Sequence, residues 1–192
     1  MKTRFPAIRV RRFSNGILLA ALMVSLTSLV VAQGPGQTWV DAQREAMRKL
    51  SSLAGSWTGP VTIVRGPQPL HLTQTDQVEY KLDGLVMLIE GKSTDSDGKT
   101  SFAALATVSY DEATHTYRFR AYNGGHYVDT ELTLLADGFS WGFKAGPADI
   151  VNTMHLTAKG EWSEVTQATM GTNPPMHAVD MLLAKQGNGN GK

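Results

Sequence analysis

The sequence contains no cysteine among its 192 residues. Disulfide bracing, thiolate nucleophiles and thiolate metal sites are therefore excluded, and stability must come from a packed core. Catalytic signatures are also missing: there is no nucleophile elbow, phosphate loop, HExxH or His-x-His. The five histidines, His71, His115, His126, His155 and His177, are scattered, and no acidic residue stands at metal-ligand spacing from them. Asp95-Ser96-Asp97-Gly98 begins like a calcium loop but lacks the bidentate glutamate, so it reads as a turn. What remains is an ordinary globular composition, 42% hydrophobic, 18% charged and 8% aromatic, which excludes disorder, collagen and coiled coil for the whole chain.

The N-terminus departs from that composition. Lys2, Arg4, Arg9, Arg11 and Arg12 precede an apolar run from Ile17 to Leu26, and Val30 and Ala32 occupy the positions a signal peptidase reads. Ser25, Thr27 and Ser28 interrupt the run, which falls short of the roughly 20 residues needed to span a bilayer. Residues 1–32 are expected to be a secretory signal peptide cleaved after Ala32, giving a periplasmic or secreted protein with no stable membrane insertion. Five of the 18 basic residues and none of the 17 acidic residues lie in 1–32, leaving 13 against 17 and a formal net charge of −4. The basic balance belongs to the signal, and nucleic acid is not an expected partner.

Residues 33–185 read as one domain and 186–192 as a polar Gly/Asn tail. Val40, Ala46, Met47, Leu50 and Leu53 fall near helical spacing, with charged residues opposite, predicting an amphipathic helix over about 38–53. Ten short strands follow, at 57–64, 70–82, 85–94, 101–110, 115–122, 126–135, 139–144, 150–158, 161–170 and 177–185. They are punctuated by turn sequences such as Asp83-Gly84, Asn123-Gly124-Gly125 and Asp137-Gly138. Ten strands without a crossover helix predict an all-β, up-and-down antiparallel meander, and closure into a barrel removes its exposed edges.

Gly55-Ser56-Trp57, where the helix hands over to the first strand, resembles the Gly-x-Trp signature of lipocalins and calycins. With it, Tyr80-Lys81-Leu82-Asp83-Gly84, Val108-Ser109-Tyr110-Asp111, Tyr117-Arg118-Phe119-Arg120-Ala121-Tyr122 and Asp137-Gly138-Phe139-Ser140-Trp141-Gly142-Phe143 look like a bacterial family of secreted, lipocalin-like proteins of unknown function. The resemblance covers about 45–185. It implies that Gly55 and Trp57 plug one end of the barrel, and that Lys185 takes the place of the arginine that packs on this tryptophan in lipocalins.

Alternation assigns the interior. On the second strand Leu72, Gln74, Asp76, Val78, Tyr80 and Leu82 are expected to point inward. Leu85, Met87 and Ile89 follow on the third, Phe139, Trp141 and Phe143 on the seventh, and His177, Val179, Met181 and Leu183 on the last. Polar Gln74, Asp76 and Tyr80 in that set suggest a wet cavity rather than a solid core. Arg118, Arg120 and Tyr122 share one phase, and Tyr117, Phe119 and Ala121 the other. The cost of burying charge favours the arginines outside. The converse phase would turn Arg120 and Tyr122 inward, the Arg-x-Tyr pair with which fatty-acid-binding barrels hold a carboxylate.

The expected function is binding of a small apolar molecule or carboxylate, with Gln74, Asp76, Tyr80, Met87, Arg120, Tyr122, Trp141 and His177 as candidate ligand residues. Haem is an alternative cofactor, held by His177 or, second, His155, as in some small calycin-like barrels. A cavity enzyme using Asp76, Glu161, Glu164 or Asp180 as acid and base, and an interaction module with a filled barrel, complete the alternatives.

Overall fold

Turn residues divide the chain after Trp57 into segments of alternating apolar positions, and each segment forms a strand. A computed structural model describes residues 35–64 and 66–187. The expected signal peptide, residues 1–32, and residues 188–192 of the expected tail lie outside the described residues. Helix α1 (Pro35–Arg48) leads through a 3-10 turn (Ser51–Leu53) into β1 (Gly55–Ile63) and β2 (Leu70–Lys81). After a second 3-10 turn (Leu82–Gly84) come β3 (Val86–Thr94), β4 (Thr100–Asp111), β5 (Thr116–Asn123) and β6 (His126–Leu134). β7 (Gly138–Ala145), β8 (Ala148–Leu156), β9 (Trp162–Met170) and β10 (Met176–Lys185) complete the chain. Each strand pairs antiparallel with its successor, and β10 pairs with β1, so the ten strands close into a barrel. The expected fold, an antiparallel barrel of ten strands with one N-terminal helix, is the fold observed.

Helix α1 stops at Arg48 rather than 53, because the chain tightens from Lys49 and finishes as a 3-10 turn. Its apolar face, with Met47 and the following Leu50 and Leu53, is buried against one end of the barrel. At the helix C-terminus the Ala46 and Met47 carbonyls accept from the Lys49 and Leu50 N–H groups, and two barrel tyrosines add a second bond to each: Tyr80 Oη donates to the Met47 carbonyl at 2.6 Å, and Tyr117 Oη donates to that of Ala46 at 2.7 Å. Burial, with Tyr117 nearby, pushes the Tyr80 phenol up to about 12, which keeps it a donor at any physiological pH. Gln43 Nε2 and Arg44 Nε donate to the carbonyls of Leu85 and Asp83, tying the helix to the β2–β3 turn.

Trp57 sits at this closed end, and its indole N–H donates to the Leu53 carbonyl at 2.8 Å. Its ring meets Trp162 edge-on at 5.7 Å, and Phe139 meets Trp162 in the same manner at 5.9 Å. Lys185 Nζ lies 5.1 Å from the Trp57 ring centroid while donating to the Ser52 carbonyl at 2.9 Å. Glycine at position 55 is required by its backbone, whose φ of +130° other residues rarely adopt. Trp57 on β1, Lys185 on β10 and Trp162 on β9 thus meet at this end.

Two expected orientations are corrected. Leu82 does not point inward. β2 ends at Lys81, Leu82 and Asp83 take positive φ in the turn, and Leu82 is exposed. On β10 the register shifts between His177 and Val179, so Ala178 bulges and the alternation that put His177 in phase with Val179 breaks.

Truncating the plug should be costly. Trp57→Ala is expected to destabilise the fold by about 3–5 kcal/mol, whereas Lys185→Met, which keeps the stem over the ring, should cost under about 1 kcal/mol. Urea unfolding of both variants checks the difference.

Candidate functional site

Above the Trp57–Trp162 base the barrel is hollow. A cavity of about 460 Å³ runs from the Trp162 ring towards the opposite end, where Phe102, Asn123, His126, Tyr127, Phe143 and Ile150 stand around it. Small side chains create the space: Gly91, Ala104, Ala106 and Ala121 all face it. One wall is also loosely joined. β6 pairs with β7 only through Leu132–Leu134 against Phe139–Trp141, and the mouthward halves of the two strands are not paired with each other. Val61, Ile89, Phe119, Phe139 and Trp141 make the walls apolar. Trp141 stacks between Phe119 at 4.1 Å and Phe143 at 5.6 Å.

The polar groups gather towards the base. Asp76 on β2 is opposite Trp57 in register, and Glu164 on β9 stands one inward position above Trp162. Gln74 Nε2 donates to Asp76 Oδ1 at 2.5 Å, and the Ser93 hydroxyl donates to Gln74 Oε1. Gly91 is opposite Asp76 on β3, and a Cβ there would stand 2.8 Å from Asp76 Oδ1 and 3.0 Å from Gln74 Nε2. This glycine leaves room for the pair. Across the floor, Trp162 Nε1 donates to Glu164 Oε2 at 2.9 Å. Thr166 Oγ1 donates to Asn152 Oδ1 at 2.6 Å, leaving Asn152 Nδ2 with no partner although the residue is only 6% exposed.

Burial dominates the electrostatics. It pushes Asp76 up to about 6, against the pull of the Gln74 hydrogen bond. It pushes Glu164 up to about 7, with the Trp162 hydrogen bond opposing and the charge of Asp76 adding to the rise. Glu164 keeps some accessible surface only because it faces the cavity. Among the described residues no lysine or arginine lines the cavity, so neither carboxyl has a cationic partner there.

Of the candidate ligand residues, Gln74, Asp76 and Trp141 line this cavity. Tyr80 and Met87 are instead at the helix end, Tyr80 half-buried on the helix carbonyl and Met87 buried in the core. Arg120 and Tyr122 lie outside. Arg120 is 49% exposed and its Nε donates to Asp129 Oδ2 at 2.8 Å, a partner Arg118 shares, while Tyr122 is 50% exposed. The arginine phase follows the cost of burying charge, and the inward Arg-x-Tyr arrangement does not form. His177, 57% exposed, reaches Asp180 at 3.3 Å outside the barrel because of the Ala178 bulge. His155 is exposed against Asp137 at 2.6 Å. Neither histidine is placed to hold haem in the cavity, where His126 at the mouth is the histidine that lines it.

Among the acid–base candidates, Asp76 and Glu164 come together, whereas Asp180 is outside and Glu161 belongs to the β8–β9 turn with Thr157. Asn152, Thr166, Ser93 and Trp162 were missed. Asn152 carried the signal that marked Gln74 and Asp76: it is a polar residue in phase with apolar Ile150, Met154 and Leu156.

No family model matches the chain, and no curated protein matches it. Among solved structures, it is similar to the crystal structure of Rv2717c from M. tuberculosis, with a TM-score of 0.57 and 13% identity over 73% of this chain and 97% of that one. At that identity the likeness supports the barrel fold alone.

Both floor carboxyls have folded pKa values above their unfolded ones, so folding takes up protons between about pH 4 and 7. Their contribution to stability is complete below about pH 4 and is lost as the pH rises through 6 to 7. Glu164→Gln retains an acceptor for Trp162 and removes the buried charge. It should raise stability at pH 8 by about 1–2 kcal/mol and leave it nearly unchanged at pH 4.5. Urea unfolding at the two pH values measures this.

Proposed function

We propose that the protein is an exported, lipocalin-like barrel that binds one small, mostly apolar molecule in its cavity. The observation that carries this reading is the cavity of about 460 Å³, with apolar walls and buried carboxyl and amide groups towards its base. Its size lies within the range of roughly 300–1,000 Å³ common for ligand pockets. Apolar walls supply affinity through burial, while a few polar groups orient the ligand. Two carboxyl groups without a facing cation disfavour a carboxylate ligand, since like charges in a poorly solvated site repel. Export rests on the basic and apolar pattern of residues 1–32 and on Val30 and Ala32 before the expected cleavage.

N-phenyl-1-naphthylamine, a neutral fluorophore, should bind with 1:1 stoichiometry, brighten, and accept energy from Trp141 and Trp162. Ala104→Trp fills the cavity and should abolish the signal while the protein still melts cooperatively. Arg120→Ala, on the outer face, should leave it unchanged. Failure of the parent protein to bind the fluorophore would count against the reading. For export, the protein recovered from a bacterial periplasm should have an intact mass beginning at Gln33; retention of residues 1–32 in the cytoplasm would refute that part.

A further inference from the structure

The floor of the cavity presents two unmet demands side by side. Asp76 and Glu164 bring two carboxyl groups to a site that no lysine or arginine lines among the described residues. Asn152 presents the opposite need: its Oδ1 is occupied by Thr166, and its Nδ2 is a buried donor without an acceptor. A buried donor left unpaired forfeits its hydrogen bond to water without replacement. Register places the two demands together. Glu164 pairs with Met154 and Thr166 with Asn152, so Asn152 and Glu164 are diagonal neighbours on the inward face of β8 and β9.

We propose that the cavity selects a small apolar amine bearing a hydroxyl on the carbon next to the amine carbon, a vicinal amino alcohol. The ammonium would sit between Asp76 and Glu164 as their missing counter-ion, the hydroxyl oxygen would accept from Asn152 Nδ2, and the hydrocarbon would lie along Phe119 and Trp141. This rests on the reading of the barrel as a ligand-binding protein and specifies the ligand class. A fatty acid would bring a third acid group to the floor. A plain hydrocarbon would leave both demands unmet.

The titratable side chains facing the cavity are Asp76 and Glu164 at the base and His126 and Tyr127 at the mouth. An ammonium favours the ionised carboxyls, so binding should release protons, and affinity should fall as the pH drops from 7.5 to 5.

Isothermal titration of the whole protein with four eight-carbon probes tests the proposal: 2-aminooctan-1-ol, octylamine, octan-1-ol and octanoate. At pH 7.5 the amino alcohol should bind about tenfold tighter than octylamine, octylamine should bind tighter than octan-1-ol, and octanoate should be weakest. Repeating the first titration in buffers of different ionisation enthalpy should reveal proton release. Glu164→Gln should lower the octylamine-to-octan-1-ol affinity ratio by at least about tenfold. Asn152→Leu should bring the amino alcohol to the affinity of octylamine. Octanoate binding as well as octylamine, or an octylamine-to-octanol ratio unmoved by Glu164→Gln, would overturn the amine assignment while leaving a ligand-binding barrel intact. No binding of any of the four probes, nor of the neutral fluorophore, would overturn both.

Discussion

A closed barrel of ten strands has two ends, and water entering at both would leave no enclosed interior in which to hold polar groups at a defined place. Trp57 prevents that at one end. Its indole N–H is satisfied by Leu53, its edge contacts Trp162, and its face is covered by Lys185, which is itself held by the Ser52 carbonyl. The helix completes the seal, because Met47, Leu50 and Leu53 bury their apolar surface there and Tyr80 and Tyr117 meet its last carbonyls. With the base dry and its hydrogen bonds made, the side chains immediately above it define a floor.

That floor comes at a cost in stability. A core filled with aliphatic side chains would stabilise the barrel more than one carrying Asp76 and Glu164, whose raised pKa values record the cost of their burial. Glycine and alanine at positions 91, 104, 106 and 121 leave the centre unfilled where larger residues would have closed it. Ten strands enclose a wider interior than eight, so small residues on the inner face leave a ligand-sized space rather than a void narrower than water. The polar network is only partly self-satisfying: Ser93, Gln74 and Asp76 form a chain, whereas Asn152 Nδ2 has no protein partner. These features belong together if an external molecule completes the network.

The fold was largely legible because its signals are local. Turn residues at Asp83-Gly84, Asp95 to Gly98 and Asn123 to Gly125 delimit strands whatever the rest of the chain does. Asp95 Oδ1, for instance, accepts from the backbone N–H groups of Asp97 and Lys99 within its own turn. Alternation correctly faced Gln74, Asp76 and Trp141 to the cavity, and the cost of burying charge correctly left Arg118 and Arg120 outside on Asp129. Alternation misplaced His177 and Leu82 for reasons it does not contain: a single bulged residue reverses the phase, and a strand that ends one residue early releases its last side chain.

By itself, then, the sequence determined the number of strands, their antiparallel order and the helix, since each depends on residues adjacent or nearly adjacent in the chain. Only the tertiary structure decided the site. Asp76 and Glu164 belong to strands separated in the barrel order by β1 and β10, and closure of the sheet turns both towards one floor. Which inward side chains meet across a barrel depends on the stagger with which the sheet closes, a property of the whole ring of strands and of no single segment.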